Sequence, residues 1–414
     1  MNQNRSTFSQ LFSAFQILLI ILLLCLYVRN NVIGVLANYH GNDFPHNYLA
    51  GYLLRNGGNP YDREQIMTAA AQLGIPHLNP YVYPLFVGEL FIPLSYLSYP
   101  TAKLAWLFFN HLFLFVSIFV YLSTIPKLLR QMTGILFLGM CVYFFPLYRT
   151  FTAGQLNLLI LLLLVLLWKY YSQKKDTLAG IILGIATLIK IFPGFFLLYF
   201  LIQKRNRIVV SMISTIVLIS ILSIGIFGWA VFVDYSHLLK AMSYGRSVWS
   251  DILVPFHLEP SNQSIHTLLL RIFPTYSRTL SYILSASLLL FTCYIAKQNS
   301  EHYGHIGFCL VFLSYLFIPS LLWDHYLVYI LFIYIMIFIY HAQSKTYTVE
   351  KILFLSLIFI WMAVPFDFWQ PSYQKGWNIL WMSFKLYPLI LLWLYLVIVF
   401  QSNKKIANRG IPFP

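Results

Sequence analysis

Runs of 17–25 apolar residues follow one another from residue 11 to residue 400, and they decide what this chain can be. With no water in a bilayer to satisfy backbone N–H and C=O groups, only helices and closed barrels cross it. A helix needs about 20 apolar residues to do so. Barrel strands alternate in short segments, which these runs do not. The remaining composition agrees: 59% of the residues are hydrophobic, 9% are charged, and the mean hydropathy is +0.73. An average soluble protein carries roughly 25% charged residues. A soluble enzyme, a secreted disulfide scaffold, a disordered chain and a DNA-binding domain are excluded, and the fold class is an all-α polytopic membrane protein.

The runs predict spans at 11–28, 82–98, 102–123, 132–148, 154–171, 177–202, 207–232, 278–297, 304–320, 323–342, 350–365 and 380–400, which makes about 12 transmembrane helices in a single domain over 1–414. Val35-Leu36-Ala37 has the small residues of a signal cleavage site, but Arg29 interrupts the approach to it, so the first span is expected to stay. Twelve spans place both termini on one side. Arg5, the run Lys204, Arg205 and Arg207, and the tail residues Lys404, Lys405 and Arg409 mark that side as cytoplasmic. The first loop 29–81, the second loop 234–277, and the short segments 319–323 and 366–379 then face outward. The C-terminal helices fill 278–400. Lys127, Arg130, Lys174 and Lys175 fall outward in this count, against the rule, and Lys190 with Pro193 inside 177–202 suggests a broken or re-entrant segment.

A net charge of +15 from 27 Lys/Arg and 12 Asp/Glu is the signature of loops facing anionic headgroups, with part of it available to phosphorylated lipids, and not of nucleic-acid binding. Cys25, Cys141, Cys293 and Cys309 lie in apolar runs without a CxxC pair, so neither zinc nor a disulfide framework is indicated. No HExxH, P-loop or GxSxG motif occurs, which argues against metalloprotease, ATPase and serine hydrolase chemistry.

Two outward loops are too long to be mere connectors, and sites are built on such loops. In the first, Asp43 precedes a segment in which Tyr48, Gly51, Tyr52 and Leu54 recur at helical spacing, the pattern of an amphipathic helix lying on the membrane. The bland role for Asp43 is a helix cap. The sharper role is a reactive carboxylate where carboxylates are scarce. Gln155 and Asn157, in Gly154-Gln155-Leu156-Asn157, stand at a span end as caps or as donors to a ligand. Lys190 lies between apolar residues. It either snorkels to an interface or holds a fixed positive charge for a phosphate. Asn262 and Gln263, followed by Arg271, close the second loop, and Asp324-His325 stands at a span mouth as a surface pair or as an imidazole over the same chamber as Asp43.

These residues resemble glycosyltransferase family 87. The likeness runs through Asp43-Phe44 with Tyr48 and Ala50, Asn59-Pro60-Tyr61, Tyr83-Pro84-Leu85, Gly154-Gln155-Leu156-Asn157, Gly180-x3-Gly184 to Lys190-x2-Pro193, Lys204-Arg205, Asn262-Gln263-Ser264 and Trp323-Asp324-His325. It covers residues 40–330. It departs at Tyr83-Pro84-Leu85, where the family often has a double proline, and at Tyr326, where a second histidine is common. The resemblance implies a GT-C fold and a polyprenyl-phosphate sugar donor, with mannose as the sugar. It implies a glycan or glycolipid acceptor, inversion at the anomeric carbon and no metal or other cofactor. Asp43 would be the general base, with His325, Lys190 and Arg271 as cationic partners of the leaving phosphate. Gln155, Asn157, Asn262, Gln263, Tyr48 and Asp324 would contact substrate. The implied setting is the plasma or inner membrane with an outward-facing site. A polysaccharide polymerase or ligase would also be polytopic, but commonly relies on arginines in its outer loop. A lipid-linked-sugar flippase would show paired repeats or broken helices, and no repeat is visible.

Overall fold

The structure, a computed structural model, describes residues 2–76, 78–241, 259–297 and 304–407. Among these, all regular secondary structure is helical. Five helices are long and apolar enough to cross a membrane: Ser13–Ala37, Tyr99–Leu122, Asn206–Phe227, Ser277–Lys297 and Asp324–Ser344. Two bent pairs, Lys127–Val142 with Phe145–Ala153 and Gly376–Ser383 with Leu386–Gln401, raise that number to seven if each is one span. The chain is a multi-pass integral membrane protein.

Asp324–Ser344 is the axis of the bundle. Its sequence is apolar on every side, as expected of a helix enclosed by other helices, and most of its residues are buried. Ser13–Ala37, by contrast, is 11% buried and presents Phe15, Leu18 and Leu22 outward, where lipid would cover them. The four cysteines are free, and only Cys25 is exposed.

Three local features differ from the expectation, each for a visible reason. The first helix does not stop at residue 28. It continues through a π-helical turn, Val28–Ile33, to Ala37, held where Asn30 and Asn31 donate to the carbonyls of Val142 and Cys141. The expected span at 82–98 is a seven-residue helix, Leu85–Phe91, and a short 3-10 turn. Pro84 and Pro93 bracket it, and seven residues reach only about 10 Å. Helix Phe44–Arg55 does not lie on a surface, because ten of its twelve residues are buried. Leu85–Phe91 covers it so closely that a Cβ on Gly51 would sit 2.5 Å from the Phe91 carbonyl carbon. The break suggested inside 177–202 is present: Asp176–Ile189 and Phe196–Ile202 are separate helices, with Lys190 in extended conformation (φ −139°, ψ 134°) at the break and a 3-10 turn from Phe192 to Phe195.

That break re-sorts the charges. The loop after Ser172 and the loop after Ile202 lie side by side, tied by an Arg205–Asp176 ion pair at 3.5 Å. Gln203 donates to the Ala296 carbonyl, and Gln131 to Gln16. Lys127, Arg130, Lys174 and Lys175, which the span count set outward, therefore share one end of the bundle with Lys204, Arg205 and Arg207. Asp43, Gln155, Lys190 and Asp324 gather around one cavity at the other end. Of the expected tail charges, Arg409 lies outside the described residues, as do residues 242–258 of the second loop.

Gly180 and Gly184 fix the helix that delivers Lys190. A Cβ on Gly180 would fall 2.4 Å from the Ile208 carbonyl oxygen, and one on Gly184 would fall 2.8 Å from the Thr215 Cβ. The small-xxx-small spacing lets two backbones touch, and any larger side chain would push Asp176–Ile189 off Asn206–Phe227.

Candidate active site

Asp43 is aimed by two backbone anchors. Its N–H donates to the Ala153 carbonyl at 2.9 Å, and the Gly41 N–H to Thr152 at 2.7 Å. Gly41 takes φ +61°, and a Cβ there would meet the Lys103 side chain at 2.7 Å. Lys103 in turn donates to the carbonyls of Tyr39 and His40. The loop is thus laced to the end of helix Phe145–Ala153. That helix closes on Gly154 in the left-handed region, φ +70°, with Phe44 against it.

Asp43 occupies the N-cap position of Phe44–Arg55, yet its side chain makes no capping bond. Its two oxygens instead receive the amides of Asn79, at 3.3 Å, and Gln155. The carboxylate is freed from the helix, held in one orientation by two neutral donors, and turned into a cavity of about 660 Å³.

The helix break supplies the cation. Lys190 is 6% exposed. Its Nζ donates to Asn157 Oδ1 at 2.7 Å and stands 3.9 Å over the Tyr326 ring. Asn157 Oδ1 also accepts from the Tyr329 hydroxyl, and its Nδ2 donates to the His325 carbonyl. Lys190 does not snorkel; it lines the cavity. A lysine this deep is tolerated in apolar surroundings only with such partners.

The third wall is the turn Asp324–Tyr329. Asp324 lies between Arg149, at 3.7 Å, and the His325 ring, at 3.6 Å from Nδ1. Among the described residues, His325 Nε2 is buried without a hydrogen-bond partner. Asn262 and Gln263 set this wall from behind. Asn262 accepts from the Leu322 N–H and donates to the Ser320 carbonyl. The Gln263 N–H donates to Leu322.

The expected site residues thus divide. Asp43, Gln155, Lys190, Asp324 and His325 line one cavity. Asn157 lies beneath it as the partner of Lys190. Asn262 and Gln263 hold backbone, the latter also bonding the Met382 carbonyl and the Lys385 N–H. Tyr48 is buried behind the helix and donates to the Leu97 carbonyl. Arg271 donates to the carbonyls of Glu259 and Pro260 and to Ser383 Oγ, knitting the second loop together. None of these last four lines the cavity.

Sequence reasoning missed His46, Asn79, Tyr83, Arg149 and Tyr326, which do line it. His46 follows Asp43 by three residues, so helical spacing alone could have placed both on one face. Arg149 is a lone charge in the bent apolar stretch, the signal of a functional group at membrane depth. Asn79 gave no signal. Glu259 stands at the rim with its carboxyl raised above the usual range by burial, and neighbouring Asp43 and Asp324 push it the same way. Among the described residues no three His, Cys, Asp or Glu side chains converge as a metal-binding group.

The family model of Glycosyltransferase family 87 matches residues 81–365. Two curated proteins of Mycobacterium tuberculosis are similar over shorter stretches. A polyprenol-phosphate-mannose-dependent alpha-(1-2)-phosphatidylinositol mannoside mannosyltransferase is 22% identical over 156 residues, 34% of this chain and 36% of the relative. A polyprenol-phosphate-mannose-dependent alpha-(1-2)-phosphatidylinositol pentamannoside mannosyltransferase is 25% identical over 170 residues, 37% of this chain and 39% of the relative. The chain spans under two fifths of the length of either. No solved structure matches it.

Proposed function

Because the chain belongs to glycosyltransferase family 87 of the GT-C superfamily, we propose that it transfers a hexose, mannose first among candidates, from a polyprenyl phosphate to a glycan or glycolipid acceptor. The observation that carries this reading is one cavity holding an uncapped, amide-held carboxylate opposite a buried lysine. In the proposed step, Asp43 takes the proton of the acceptor hydroxyl as that oxygen bonds to the anomeric carbon. The bond from that carbon to the phosphate oxygen breaks on the opposite face, which inverts the centre and releases the polyprenyl phosphate. Lys190 meets the leaving phosphate, with the Arg149 guanidinium close by and the His325 ring as a further hydrogen-bonding group, so charge that develops there is answered by fixed donors. Asp324 acts on the substrate only through these two: it holds the imidazole and the guanidinium in place. No metal is required in this scheme.

Purified protein should transfer sugar from polyprenyl-phosphate mannose with divalent cations chelated, and the product should carry the inverted linkage by NMR coupling constants. Use of nucleotide sugars alone would overturn the reading.

The proposed orientation sets the cavity on the outer face of the plasma or inner membrane. The basic residues gathered at the opposite end support it, since loops rich in Lys and Arg stay in the cytoplasm. Twelve membrane-embedded helices follow if the shorter apolar helices Asn157–Ser172, Asp176–Ile189, Phe192–Ile202 and Ile306–Tyr315, and helix Val349–Ala363, are counted beside the seven candidates. A cysteine introduced by Asn42→Cys in a cysteine-free background is expected to react with an impermeant thiol reagent on intact cells. Labelling only after permeabilisation would reverse the topology.

A further inference from the structure

Among the described residues, five buried polar side-chain atoms on the cavity wall have no hydrogen-bond partner: Nδ1 and Nε2 of His46, Gln155 Oε1, the Tyr235 hydroxyl and His325 Nε2. Buried polar groups are nearly always bonded, and one left open at a cavity wall calls for an explanation, a bound group among them. Gln155 and His325 flank the base and the phosphate end already described. His46 has no role in that scheme, yet it is the only one of the four with both of its polar atoms open.

Its setting is built. His46 is 3% exposed, one helical turn from Asp43, and its ring stacks on Tyr83 with centroids 5.6 Å apart and planes 23° apart. Burial, together with Lys190 across the cavity, holds the imidazole down at about 4, with Asp43 pulling the other way. A neutral imidazole offers one N–H donor and one acceptor nitrogen. It is a poor partner for a phosphate, which wants charge, and a good one for a hydroxyl, which both donates and accepts.

We propose that His46 is a specificity-determining residue that hydrogen-bonds a ring hydroxyl of the sugar being transferred. This rests on the transferase reading above. It goes beyond that reading in assigning to one side chain the choice among hexoses. A site built to bond a hydroxyl rejects the analogue that lacks it, because its own buried polar atoms are then left open.

The experiment uses the purified full chain, polyprenyl-phosphate mannose, and a set of its deoxy analogues each lacking one hydroxyl. Wild type is expected to lose roughly 5- to 150-fold in kcat/KM for one analogue in particular, the range for one unpaired buried group. His46→Phe, which keeps an aromatic ring against Tyr83, is expected to lose a similar factor with the full donor and little more with that analogue. Equal further loss with every analogue, or undiminished discrimination in the variant, would overturn the assignment. If the Phe variant does not fold, the same non-additivity is read with His46→Gln, whose amide cannot occupy both imidazole nitrogen positions. The two readings separate cleanly. A wild type inactive with every lipid-linked sugar defeats the function itself, whereas an active wild type whose selectivity ignores position 46 defeats this inference alone.

Discussion

Asp43→Asn is expected to lower the rate of sugar transfer by roughly two to four orders of magnitude, the contribution of a positioned general base. Asparagine is the right test because a pure capping role would survive it: Asn caps about as well as Asp, and here the side chain does not cap at all. The structural disturbance is small. An amide at position 43 would turn a donor toward Asn79 or Gln155. Gln155 can rotate to answer it, since its own Oε1 is otherwise unbonded. The variant should therefore melt close to wild type and bind lipid donor while transferring almost nothing. Transfer at near the wild-type rate would remove the base from Asp43 and direct attention to Glu259 at the rim.

The second large effect belongs to Lys190. Lys190→Met keeps the length of the stem and deletes the charge, and kcat/KM for the lipid donor should fall roughly 5- to 150-fold, as for a lost charge-assisted bond. Stability should move the other way or not at all. Desolvating an ammonium opposes folding, and Asn157 Oδ1 retains the Tyr329 hydroxyl at 3.2 Å when the lysine is gone. A melting temperature equal to or above wild type, with activity lost, separates a functional lysine from a structural one. A variant that uses the donor normally would mean the ammonium never meets the phosphate.

What the sequence made legible was whatever depends on short range. Apolar runs gave the class, Lys190 and Pro193 announced the break three residues apart, and Asp43 stood out because carboxylates are few in the outward loops. What it hid was the meaning of polar residues that bond to distant backbone. Asn262 and Gln263 read as substrate ligands, because nothing local says that the carbonyls and N–H groups near residue 322 need partners. Tyr48 read as part of a surface helix because its pattern is amphipathic. It packs against Tyr99 and donates to the Leu97 carbonyl, and the helix that carries it is covered by Leu85–Phe91, from a stretch that itself read as a span. Lys127, Arg130, Lys174 and Lys175 were counted apart from Lys204, Arg205 and Arg207 because 82–98, which folds as the seven-residue helix Leu85–Phe91 and a short turn, read as a crossing.

The short helix before Lys190 has a mechanical consequence. Asp176–Ile189 has 14 residues, about 21 Å of rise, while the hydrocarbon layer is about 30 Å thick. With its first turn at one face, this helix ends below the opposite headgroup plane, and the floor it carries is sunken with it. Extracting a prenyl tail into water would cost about 0.8 kcal/mol for each CH₂ exposed. In the proposed reaction a sunken floor would remove most of that work, because the lipid would be met at the depth where it already rests. Catalysis would thereby be tied to bilayer thickness, a property encoded by none of the side chains around the cavity.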